Sequence, residues 1–215
     1  MKFSVLSKLF RVFVISSLFI FPVLIVILHV RAATTATTLN QAITAGTLAV
    51  NIVDGSGAVV SSPSITFSSA TFSFAVQNST GILGTATQKI RLDNPTATVA
   101  WSVSLAATGG DSAVWTNGGA LTYPYNNATQ NNGRLAVDPS VGTITPWGSC
   151  VNTNVSKGSA DYFVVTTKQS ITLMSATAGA NTYCRWDLTG VGLTQTIPAS
   201  QAVANYSIAM TITAL

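Results

Sequence analysis

From Thr47 onward the apolar residues recur at every second position in short runs, the signature of strands with one face buried. Leu48, Val50 and Ile52 share a face in the first run. Asp54-Gly55-Ser56-Gly57 then interrupts it with residues suited to a hairpin turn. Later runs pair Ile65 with Phe67, Phe72 with Phe74 and Val76, Ile90 with Leu92, and Trp101 with Val103 and Leu105. The second half continues with Leu135 and Val137, Ile171 and Leu173, Cys184 with Trp186 and Leu188, and Tyr206 with Ile208, Met210 and Ile212. No run after the first thirty or so residues shows a 3.6-residue period, and the abundant Thr and Val suit a pleated surface better than a helix. Roughly nine short strands separated by frequent turn residues predict an all-β fold: an antiparallel two-sheet sandwich, immunoglobulin-like or of related topology.

The chain begins differently. Lys2, Lys8 and Arg11 precede an apolar run from Val12 to Val30, which then gives way to small and hydroxyl residues. That layout is a secretory signal, with Val30 and Ala32 at the small positions of a cleavage site and a mature chain starting near Ala33. A retained anchor helix is the second reading, because the run would extend about 28 Å, close to a bilayer core. The expected organisation is a signal or anchor over 1–32, a flexible arm over 33–45 containing ATTATT, and a β domain over 46–215. The predicted location is extracytoplasmic, secreted or attached to the cell surface, with membrane contact only through residues 12–30 if they are kept.

The charge follows that division. Four of the ten basic residues and none of the six acids lie in residues 1–32, so the remainder is formally neutral and gives no basic patch for nucleic acid. All six acids are Asp, and the only histidine, His29, lies in the apolar run. Without His or Glu, the β domain lacks the residues for Ser-His-Asp or Cys-His catalysis and for ordinary zinc sites. A pair of Asp could still serve a glycosidase. The reading is a non-enzymatic protein with no cofactor and no metal. Asp54, Asp93 and Asp111 stand beside turn residues, and turn chemistry accounts for them without calcium.

Cys150 and Cys184 are the only cysteines, and in an exported chain they predict a disulfide. Residues 108–133 break the strand rhythm and read as long loops. Trp115, Tyr123 and Tyr125 within them suit either a surface that stacks on sugar rings or contacts a protein, or a minor core at one end of the sandwich.

Two stretches carry a family resemblance. AWSVSLAAT, with Trp101 and Val103, and the tail TIPASQAVANYSIAMTITAL, with Ile197, Pro198 and Tyr206, resemble the two strands that mark the WxL-type surface domain of Gram-positive bacteria. Here the second motif reads Ile212-Thr-Ala214, and the literal Trp186-Asp-Leu188 stands elsewhere. The resemblance implies a wall-associated protein that binds cell-wall polysaccharide or other surface proteins without catalysis; on its central strand Trp101 itself reads as a core residue rather than a ligand contact. Low charge also suits a second role. A subunit of a fibre or surface layer would use an N-terminal arm near residues 33–50 to complete a neighbour's sheet, giving a homo-oligomer.

Overall fold

The computed structural model describes residues 40–215; the signal or anchor segment 1–32 and most of the proposed arm lie outside the described residues. A compact unit runs from Thr44 to Leu215. Among the described residues it is built of strands and three short 3-10 turns, and no helix there is long and apolar enough to cross a membrane.

Fourteen strands are present among the described residues. They are β1 (Ala49–Val53), β2 (Gln77–Leu83), β3 (Lys89–Asn94), β4 (Trp101–Ala107), β5 (Val114–Thr116), β6 (Thr122–Pro124) and β7 (Arg134–Asp138). They continue as β8 (Thr143–Pro146), β9 (Val155–Lys157), β10 (Asp161–Tyr162), β11 (Ser170–Ala176), β12 (Cys184–Thr189), β13 (Val191–Ile197) and β14 (Met210–Ala214). Every pairing is antiparallel. The all-β, antiparallel expectation therefore holds. The hydrogen-bonded grouping is finer than two continuous sheets: a first sheet β1-β3-β12-β8, a second β10-β7-β13-β2, a third β14-β4-β11-β9, and the hairpin β5-β6.

All three sheets send alternate side chains into one core. The first contributes Ile90, Leu92, Trp186 and Leu188, the second Leu135, Val137, Val191 and Leu193, and the third Trp101, Val103, Leu105 and Leu173. Trp101 and Trp186 meet at the seam between the third and first sheets, with ring centroids 5.2 Å apart. Removing a ring of this size from water contributes on the order of 4 to 6 kcal/mol before entropy is counted. Trp186 also donates its indole N–H to the carbonyl of Val151 at 3.2 Å. The Trp101 indole N–H is buried and has no partner among the described residues, so Trp101 serves by packing alone.

Two apolar runs did not become strands. Ile65 and Phe67, and Phe72, Phe74 and Val76, lie in irregular chain between β1 and β2. In the first run Phe67 turns toward the core while Ile65 stays exposed, and both lie over the bare backbone of Gly81, a Cβ on which would stand 3.3 Å from both side chains. Phe72 and Phe74 pack edge to face on each other at 5.1 Å while remaining largely exposed, Phe74 by 83%. An apolar alternation here encodes a local aromatic pair and a plug rather than a sheet ladder.

The outer face of the first sheet holds a buried ion pair. Arg91 donates from Nε and Nη2 to the two carboxylate oxygens of Asp187 at 2.7 and 2.8 Å, and Lys89 approaches at 3.8 Å. The hydrogen-bonded Asp187 carboxylate raises the Arg91 pKa further above its ordinary value, against the opposing effect of burial. One register step away Arg185 binds Asp93, and the exposed ring of Trp147 lies over both guanidiniums at 5.3 and 5.5 Å.

Cys150 and Cys184 form the expected disulfide, with Cα atoms 5.9 Å apart. Backbone pairing brings them together: Trp147 extends the β8–β12 ladder by donating to Arg185, and a turn then carries Cys150 back beside the start of β12. Such a bond fits an oxidising compartment. Replacing Cys150 by Ser removes the cross-link over a separation of 34 residues and lowers stability by about 3 kcal/mol, read as a lower midpoint in chemical denaturation.

Candidate binding surface

The aromatics singled out in residues 108–133 face inward. Trp115, Tyr123 and Tyr125 are 8, 7 and 0% exposed, so the expectation that they present a ligand surface gives way to the minor-core role. The segment is also more ordered than a long loop, since β5 and β6 form a hairpin in which Trp115 opposes Tyr123. Trp115 touches Phe67 at 5.3 Å and stacks on Tyr123 at 6.0 Å, and Tyr123 meets Tyr206 edge to face at 5.0 Å. Trp115 donates its indole N–H to Oε1 of Gln195, which is almost wholly buried. Burial pushes the Tyr123 and Tyr125 hydroxyls above the usual phenol range, because the charged form would lose its water. Tyr125 keeps a partner by donating to the carbonyl of Gly110 at 3.1 Å, beside the fully buried Phe163.

The other residues marked in the sequence are also structural. Trp101 and Val103 sit on β4 and Trp186 on β12, all buried, and Tyr206 donates to the carbonyl of Ala202 while packing on Tyr123. The two stretches that carry the family resemblance are neighbours, because β14 pairs with β4. The Asp turns hold their own chain. Asp54 accepts from the backbone N–H of Ser56 and Ala58 and from the Ser56 hydroxyl, which holds its carboxyl below the usual range. Asp111 accepts from Thr166 N–H and Gln169 Nε2, and Asp93 is bound by Arg185.

An outward-facing groove lies instead on the second sheet. In the register of that sheet Tyr162, Ala136, Thr194 and Thr80 form one cross-strand row, and because Val137, Leu193 and Leu135 beside them point inward, this row points out. In the next row Gly192 opposes Asp138. Small side chains at Ala136 and Gly192 make the floor low, while Tyr162, Asp138, Asp161 and Val141 stand around it, enclosing about 480 Å³. A Cβ at Gly192 would meet Val141 at 3.4 Å, an ordinary contact. Glycine there supplies depth.

The walls are held in place. Arg134 lies over the Tyr162 ring at 4.1 Å, and Tyr162 itself is 45% exposed. Asp161 pairs with Lys168 at 2.7 Å and accepts the Tyr162 N–H at 2.8 Å; the Lys168 contact foremost holds its carboxyl below the usual range. Asp138 accepts from the backbone N–H and hydroxyl of Ser140. The groove thus offers an aromatic plane, two threonine hydroxyls and the Asp138 carboxylate, within the volume typical of small-molecule sites, roughly 300 to 1,000 Å³. The sequence signal for it was the alternation in Val191–Ile197, where Gly192 and Thr194 separate Val191, Leu193 and Gln195. Among the described residues no cluster of three or more potential metal-ligating His, Cys, Asp or Glu side chains occurs.

These features define a class: an all-β, antiparallel, disulfide-bonded domain with a shallow polar-aromatic groove on one sheet. No protein-family model, curated protein or solved structure matches the chain.

The described residues contain neither His nor Glu, so no side chain there has an ordinary pKa between 5 and 8. Asp54 and Asp161 have folded pKa values below their unfolded ones, so their stabilisation is complete above the ordinary carboxylate value of 3.8 and is lost as pH falls through the lower folded values. Thermal melting of the domain is therefore level from pH 5 to 8 and declines only below about pH 4.

Proposed function

We propose that this protein is an exported, non-enzymatic component of the cell surface that binds cell-wall polysaccharide through the groove of the second sheet. The observation that carries the reading is the row Tyr162–Ala136–Thr194–Thr80 beside Gly192, an aromatic plane flanked by hydroxyls over a floor of minimal side chains. A sugar ring has an apolar C–H face and an equatorial rim of hydroxyls. The Tyr162 ring suits the face, and Asp138, Thr80 and Thr194 suit the rim.

Several further points support it. The apolar segment after Lys2, Lys8 and Arg11 has the layout of an export signal, and the disulfide suits the compartment beyond it. The likeness of the Trp101 strand and the C-terminal tail to WxL-type domains points to the same surface.

The test is sedimentation of the protein with purified cell-wall polysaccharide. Tyr162→Ala removes the plane and Gly192→Val fills the floor; each lowers affinity about tenfold or more, a loss of at least ~1.4 kcal/mol, with an unchanged circular dichroism spectrum. Unchanged binding by both folded variants would refute the groove.

A further inference from the structure

The third sheet ends on β14, where Met210, Ile212 and Ala214 face the core side yet stay half-buried. Their cross-strand partners on β4, Ala107, Leu105 and Val103, are closed off from solvent. On the other side of the opening Val50 and Ile52 of β1 are half-buried as well. Between these two strands and the irregular segment carrying Val59, Val60, Ile65 and Phe67 lies an apolar groove of about 510 Å³, reaching down to Leu105, Leu135 and Leu193.

The backbone of β14 is available along the same line. Leu215 exchanges hydrogen bonds with Ser102, and Thr108 donates to Ala209, so the odd-numbered residues of this strand bond to β4. By antiparallel alternation the N–H and C=O groups of Met210, Ile212 and Ala214 point to the free edge. That edge has none of the usual guards against pairing: no charge, no proline and no bulge.

The same chain carries a segment of matching character. Asn40–Ala45 is uncharged and exposed, its backbone groups find no partner among the described residues, and Ile43 is 89% exposed. Its length suits a five-residue edge of about 17 Å.

We propose that the free edge of β14 receives Asn40–Ala45 of a second copy as an added strand, with Ile43 entering the apolar groove. Main-chain bonds supply the pairing and the groove supplies the register. Each copy then donates at one site and accepts at another, so the contact is heterologous and builds linear chains rather than a closed dimer.

The test mixes two singly substituted variants of the protein, Ile43→Cys and Ile212→Cys, under mild oxidation, and identifies linked peptides by mass spectrometry. The native cysteines are already paired with each other. A covalent dimer joining positions 43 and 212 is expected, at least tenfold above the yield with an Asn131→Cys control on an exposed turn. A chain carrying both substitutions should give a ladder of oligomers on a non-reducing gel. Met210→Cys replaces Ile212→Cys if the latter fails to fold. Yields equal to the control, or a doubly substituted chain that closes only on itself as a monomer, would overturn the proposal.

Discussion

The contact between Trp101 and Trp186 joins the first and third sheets inside the common core on which the rest of the fold depends. A sheet with one apolar face must cover that face, and three sheets meeting at one core do so for one another. The cost is geometric. Once Trp101 fixes the third sheet against the first, every inward residue of the second sheet is committed to closing the core, and its alternate residues are committed to solvent. The outer groove follows from that alternation. So does the Gln195–Trp115 hydrogen bond, in which a buried amide on β13 anchors the hairpin that caps one end.

The stabilising contacts are separate from the proposed binding groove. The buried Arg91–Asp187 pair, the disulfide and the Trp115–Tyr123–Tyr206 cluster hold three different regions, and none of them touches the row led by Tyr162. Breaking the Arg91–Asp187 pair by removing one partner would strand a charge, at a cost on the order of 3 to 5 kcal/mol. The groove, by contrast, is built from side chains whose loss leaves the core intact. A protein stabilised in this way keeps its surface free to change.

Much of the fold was legible because period-two alternation survives wherever a strand has one wet face. Ile90 with Leu92, Trp101 with Val103 and Cys184 with Trp186 all lie on strands with the faces the sequence predicts. The failures have physical causes. Phe72 and Phe74 alternate like a strand but satisfy each other as an aromatic pair, which a one-dimensional pattern cannot distinguish from a sheet face. Trp115, Tyr123 and Tyr125 stood among Asn and Gly, and those turn residues suggested exposure, whereas the turns serve to fold the rings inward. The groove was hidden because its defining residues are the unremarkable ones: Gly192, Ala136 and two threonines matter only once the register sets them side by side with Tyr162.

The row led by Tyr162 is the proposed ligand-contacting face. Amide chemical shifts of the isotopically labelled protein, followed during titration with solubilised cell-wall polysaccharide, test it directly. The predicted result is a set of perturbations confined to Thr80, Ala136, Asp138, Tyr162, Gly192, Thr194 and their immediate neighbours. A spectrum unchanged at saturating polysaccharide, or perturbations gathered around Trp147 on the first sheet, would contradict it.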